Sequence, residues 1–146
     1  NNRSIVLRLQ EGDDAFLFTG DIETNAERML ATSEGEIRSK VLKVPHHGSR
    51  GALDEEFLSR IRPEIAIVSV GAHNSYGHPS PEALEAYRRL GAELYRTDKE
   101  GAILVSSDGK KLSVRTERRL RLVPVEFRSD FILQEWENLK RVLAVF

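Results

Sequence analysis

Lys43-Val44-Pro45-His46-His47-Gly48-Ser49 follows the apolar pair Val41-Leu42 and sets two imidazoles, a glycine and a hydroxyl at the open end of what reads as a buried strand. All the histidines of the chain, His46, His47, His73 and His78, fall within one quarter of its length. Upstream, Phe18-Thr19-Gly20-Asp21 ends another apolar run in a carboxylate. Neutral imidazoles and a carboxylate held by strand ends are donors that a borderline-to-hard divalent metal takes. A histidine pair alone is commonplace in loops. Three features turn the reading toward metal or phosphate chemistry: the shared strand-end setting, the Gly-Ser that lets backbone N–H groups approach an anion, and a second histidine cluster one βα step later.

Outward from this stretch, Ser4 to Gln10 and Ala15 to Phe18 read as a hairpin across Glu11-Gly12-Asp13-Asp14, and a helix is expected from Glu23 to about Ala31. Asp21 is either a metal ligand or a cap of that helix. In the loop Gly48-Ser49-Arg50-Gly51, Ser49 and Arg50 are candidates to wrap a phosphate, with a plain connection as the alternative. Asp54 to Ile61 reads as a short helix, and Ile65 to Val70, apolar at nearly every position, as a central strand covered on both faces. That strand empties into Gly71-Ala72-His73-Asn74-Ser75-Tyr76-Gly77-His78-Pro79, at the carboxyl end where α/β sheets keep their sites. Asn74 and Tyr76 are candidate substrate contacts there, and His78 ranks above His73 as a catalytic group.

Ser80 caps a helix that starts at Pro81 and ends at Gly91. Glu93 to Arg96 and Ala102 to Val105 read as strands across a turn, with Lys111 to Arg115 pairing with them after Asp108-Gly109. Asp98 reads as a turn residue or, less directly, as a second carboxylate near the site. Arg115, Arg118, Arg119, Arg121 and Arg128 make the only locally basic region, which would lie along phosphates or form a solvated connection. Phe131 to Val145 has helical spacing and predicts a terminal amphipathic helix. The chain thus divides into a domain over 1–115 and a basic connection with a helix over 116–146.

With 146 residues, 40% of them hydrophobic, the chain has the size of one domain. A net charge of −1 gives no global basic field, so any nucleic-acid contact must come from local clustering. The lack of cysteine excludes disulfides and thiolate-rich metal sites. No apolar run approaches the roughly 20 residues that span a bilayer.

Leu17-Phe18-Thr19-Gly20-Asp21, then Val41 through Ser49, then Ala66-Ile67-Val68-Ser69-Val70-Gly71 with Asn74-Ser75-Tyr76-Gly77-His78-Pro79, then Tyr95-Arg96-Thr97-Asp98 with Gly101-Ala102-Ile103 occur in order. This series resembles the later part of a metallo-β-lactamase-fold domain. More narrowly, it is similar to the domain at the C-terminus of ComEC-type competence proteins, the membrane channels of bacterial DNA uptake. The resemblance covers about residues 1 to 106 and leaves out the arginine-rich segment and the predicted last helix.

The resemblance implies an α/β (α+β) architecture: the second half of a four-layer αββα sandwich, a mixed sheet with helices on one face. It implies one or two divalent metals, Mn2+ or Zn2+, that activate water, with Asp21, His46 and His47 as ligand positions and His46, His47 and His78 facing the metals or the scissile phosphate. Adjacent residues on a strand point to opposite faces and the turn at Pro45 scrambles the count, so His46 and His47 are not ranked. The implied function is a nuclease acting on DNA during uptake. The implied setting is a soluble domain of a cytoplasmic-membrane protein, on the extracytoplasmic side, joined to a membrane channel domain. The family's chief metal motif, His-x-His/Asp-x-Asp-His, precedes the matched region and is not in this sequence. A piece of a longer protein is therefore expected, with weak metal retention and a bare sheet face that pairs with a second copy or with the missing segment. A small-molecule metallo-hydrolase of the same fold and a noncatalytic docking module are the alternatives.

Overall fold

In the computed structural model, which describes residues 1–120 and 142–146, period-two alternation in three central strands decides the layering. Strands β1 (Leu7–Glu11), β2 (Asp14–Phe18), β3 (Val41–Lys43), β4 (Ile65–Val68) and β5 (Glu93–Arg96) form one sheet in that order. β1 runs antiparallel to β2 and the remaining pairs are parallel, so the sheet is mixed. Leu17, Leu42, Ala66 and Val68 point to one face. There they pack on the helices α1 (Thr24–Thr32), α2 (Glu55–Ile61) and α3 (Pro81–Arg89) through Ala31, Phe57, Ile61 and Tyr87. Phe16, Val41, Ile65 and Ile67 point to the other face, against Ile103 and Val105 of a second sheet. β4 is buried at every position, as a strand covered on both faces must be.

The second sheet is antiparallel, with β6 (Ile103–Ser107) between β7 (Leu112–Thr116) and β8 (Val142–Val145). Two expectations are corrected here. β5 and β6 are not a hairpin but belong to different sheets: the helical turn α4 (Thr97–Glu100) and Gly101, at φ 71°, redirect the chain between layers. The strand expected over Lys111 to Arg115 forms as Leu112–Thr116 and pairs with β6, not with β5. The end of the predicted terminal helix is also a strand, because Val142–Val145, an apolar run of high β propensity, adds to the free edge of β6. The rest of that helix and Arg121 and Arg128 lie outside the described residues.

Polar contacts fix the layers in register. Lys40 Nζ lies 2.6 Å from Asp14 Oδ1, and Ser107 of β6 donates to the other oxygen of the same buried carboxylate. Gly12 is required at the β1–β2 turn, since a Cβ there would lie 2.4 Å from the Gly109 carbonyl oxygen in the β6–β7 turn. Helix α1 has no basic residue in its last turn; instead Arg60 of α2 donates to the carbonyls of Leu30, Ala31, Ser33 and Gly35 at its C-terminal end. Asp54 caps α2 by accepting from the Phe57 N–H at 3.0 Å. On the edge strand, Leu7 and Leu9 are exposed together with Ile5 just before it, all at alternate positions.

Candidate metal and hydrolytic site

The carboxyl ends of β2, β3, β4 and β5 lie side by side, and every candidate site residue falls in the loops that leave them. After β3 the chain turns sharply: His46 (φ 44°), His47 (φ 55°) and Gly48 (φ 79°) are all left-handed. Two successive non-glycine residues in that region are strained, and such strain collects at functional sites. The turn is wedged from outside. The Ser80 N–H donates to the Gly48 carbonyl at 2.9 Å, and a Cβ on Gly48 would meet Pro79 Cβ at 2.6 Å. On the other side the His46 N–H donates to the Gly20 carbonyl, 3.2 Å away.

This geometry separates the two histidines. His47 Nδ1 lies 2.6 Å from the Ser69 carbonyl at the end of β4, while its Nε2 lies 3.5 Å from Asp21 Oδ1. A carbonyl only accepts, so the proton sits on Nδ1 and Nε2 faces the carboxylate. His46 instead turns toward Glu23 and Asn1. Its Nδ1 is 3.5 Å from Glu23 Oε1, too far for a hydrogen bond, and is buried without another partner. The ring centroids of His46 and His47 are 6.3 Å apart, and those of His46 and His78 5.8 Å. The structure thus brings Asp21, His46, His47 and His78 together. His73 is exposed in the same loop and joins none of these contacts.

Asn74 is the clasp of the loop after β4. Its side chain accepts from the His78 N–H at 3.0 Å and donates to the His78 carbonyl at 2.8 Å. Burial first, then the charges of His46 and His47, hold the His78 imidazole below its ordinary pKa, so it stands neutral near pH 7. Tyr76 stacks on it, with centroids 6.0 Å apart and planes 18° from parallel.

Ser49 and Arg50 are placed differently from the phosphate-wrapping reading. Ser49 Oγ accepts from the Gly51 N–H, and Arg50 reaches Glu82 of α3 at 2.8 Å. Neither lines the cavity of about 470 Å³ between the sheets, which His47, Asn74, Tyr76 and His78 do. Asp98 pairs with Arg96 at 2.6 Å, which holds its carboxyl below the usual carboxylate range and accounts for it as a structural residue.

Sequence reasoning passed over two charged neighbours. Lys43 is the last residue of β3, on the inter-sheet face; its Nζ donates to the Gly20 carbonyl at 3.1 Å and lies 3.7 Å from Asp21 Oδ1. Burial lowers its pKa, and Asp21 partly opposes this. Glu23 reads from sequence as the start of a helix, yet its carboxylate faces His46. The spacing Asp21-x-Glu23 was the available signal for it.

The donor set partly fits a metal. Two donors each about 2.1 Å from a tetrahedral ion stand about 3.4 Å apart, close to the Asp21–His47 separation of 3.5 Å. Among the described residues, however, no group of three or more His, Asp or Glu is arranged to hold an ion. The chain supplies a converging pair, not a closed site.

Comparison with known proteins relates the sequence to a family. The chain is 39% identical over 103 residues to ComE operon protein 3 of Bacillus subtilis (strain 168), a match that takes in 70% of this chain and 13% of that protein. It is 39% identical over 104 residues to Competence protein ComA of Neisseria gonorrhoeae, covering 70% of this chain and 15% of the relative. It belongs with the ComEC-type competence proteins. Recombination protein 2 of Haemophilus influenzae (strain ATCC 51907 / DSM 11121 / KW20 / Rd) is 32% identical over 118 residues, 81% of this chain and 15% of the relative. The chain therefore corresponds to only 13 to 15% of the length of these ComEC-type relatives. No family model and no solved structure matches it. No helix among the described residues is long and apolar enough to cross a membrane.

Proposed function

We propose that this segment is part of a metal-dependent hydrolase that cuts DNA phosphodiesters during DNA uptake. The observation that carries the reading is His47, held by the Ser69 carbonyl so that Nε2 meets the Asp21 carboxylate at the carboxyl ends of three parallel strands. The printed names of the relatives, two of them competence proteins or operon products, support DNA uptake as the setting.

Asp21 and His47 are the residues that would hold Mn2+ or Zn2+, with His46 Nδ1, buried and unpartnered, as the next available donor. A bound divalent ion supplies a water of lowered pKa and positive charge for the phosphoryl oxygens. The chain's own groups do the rest. Ser69 fixes the His47 tautomer, Lys43 brings an ammonium beside Asp21 where an anionic substrate must approach, and the neutral His78 offers a ring nitrogen for moving a proton. The remaining ligands come from elsewhere in the polypeptide. The same reading sets the segment on the extracytoplasmic side of the cytoplasmic membrane, beside a membrane channel domain.

The test is hydrolysis of a labelled oligodeoxynucleotide by the whole polypeptide and by this 146-residue chain, each with Mn2+ or Zn2+. The whole protein is expected to cleave only with metal, and the isolated chain to be at least about 100-fold slower because it holds two ligands where an active site needs three. Hydrolysis of a small phosphodiester but not of DNA would favour the small-molecule hydrolase. A whole protein inert on both substrates would favour a docking module.

A further inference from the structure

We propose that the groove beside Tyr76 is a stacking site for a base of single-stranded DNA, adjoining the Asp21–His47 pair. The inference rests on the hydrolase reading and names how its substrate is held. Tyr76 is 81% exposed although it carries a large aromatic ring, and among the described residues the side of that ring away from His78 has no stacking partner. His78 backs the ring and Asn74 clamps the loop through both backbone groups of His78, so the exposed aromatic stands on a fixed support. The cavity it borders, about 470 Å³, has Val70, Ala102 and Phe146 among its lining and His47 at the same surface. That size lies in the range of roughly 300–1,000 Å³ that takes a small planar ligand.

The chemistry selects a base. An aromatic face over an apolar floor recognises a flat heterocycle by stacking, whereas a phosphate needs donors or cations. Arg50 is paired with Glu82 and Lys43 lies beside Asp21, and neither is in the lining of the cavity. Since His47 lines the same cavity, a nucleotide whose base lies on Tyr76 has its backbone phosphate within reach of the Asp21–His47 pair. Bases in a duplex already have both faces stacked and cannot lie on Tyr76, so the site selects unpaired strands.

Binding is measured with the 146-residue chain in chelator, so that no hydrolysis occurs, by fluorescence anisotropy. The probes are a labelled oligothymidylate, an abasic oligomer with the same number of phosphates, and a hairpin duplex. Oligothymidylate is expected to bind tightest; Tyr76→Ala weakens it by roughly 10-fold and Tyr76→Phe by no more than about twofold, as expected when one stacked base is lost. Tyr76 is exposed, so neither substitution threatens the fold. Equal binding of the abasic oligomer or the duplex, or an unchanged Tyr76→Ala, overturns the stacking site and leaves a phosphate-binding hydrolase standing. No binding of any probe overturns the stacking site and counts against DNA as the substrate.

Discussion

His47 Nε2 stands 3.5 Å from Asp21 Oδ1 while its Nδ1 is committed to the Ser69 carbonyl 2.6 Å away. With the ring neutral, a lone pair and a carboxylate oxygen then face each other. Two such donors, both partly open to solvent, are poised to take a divalent ion between them. Titrating Zn2+ into the chain should therefore shift the His47 Nε2 resonance in nitrogen NMR and leave exposed His73 unmoved. His47→Ala should abolish the zinc response.

Lys43 Nζ, 3.7 Å from Asp21 Oδ1, competes with a divalent ion for the same carboxylate. Lys43→Met keeps the length of the side chain and removes the charge. Metal affinity measured by calorimetry should rise by roughly threefold to tenfold. Weaker metal binding in this variant would mean that Lys43 positions Asp21 for the ion instead of opposing it.

Gly48 holds together the histidine turn and the loop that presents His78. At φ 79°, with a Cβ only 2.6 Å from Pro79 Cβ, Gly48→Ala combines backbone strain with a steric clash. It should cost about 2 kcal/mol or more in urea unfolding. Gly71→Ala, where nothing lies within 4 Å, is the control and should leave stability within about 1 kcal/mol.

Glu27, on the inward face of α1, is fully buried; one oxygen accepts from the Asp54 N–H at 2.9 Å and the other has no partner among the described residues. Burial raises its pKa from 4.5 to about 7. The folded state thus binds a proton that the unfolded state releases, so this stability is complete below pH 4.5 and is lost as pH rises through about 7. The span corresponds to roughly 3 kcal/mol. Glu27→Gln keeps the shape and the acceptor, and should flatten the wild-type decline between these pH values. Parallel pH profiles of the two proteins would show Glu27 to be ionised throughout.

Much of this is legible in the sequence. β4 and the β1–β2 hairpin follow from apolar runs and turn residues, and Asp21 and the histidines stood out because they end such runs. His46 and His47 could not be ranked, for alternation fails where both residues are left-handed. The separation of β5 from β6 was hidden because their short spacing imitates a hairpin, while α4 moves the chain to another layer. Arg50 looked like a phosphate clamp because its partner, Glu82, lies on a helix far along the chain. Helical spacing from Phe131 onward masked the strand Val142–Val145, whose partner β6 no local pattern reveals.

The most direct measurement is metal-dependent cleavage of a single-stranded oligodeoxynucleotide by the whole polypeptide carrying Asp21→Asn. Asn keeps the shape and one carbonyl oxygen but cannot supply the negative donor next to His47 Nε2. Cleavage with Mn2+ or Zn2+ should fall at least about 100-fold while the thermal unfolding temperature changes little, since the Asp21 side chain is 43% exposed and lies outside the packed core. Unchanged cleavage that still requires the metal would contradict the account and remove Asp21 from the site.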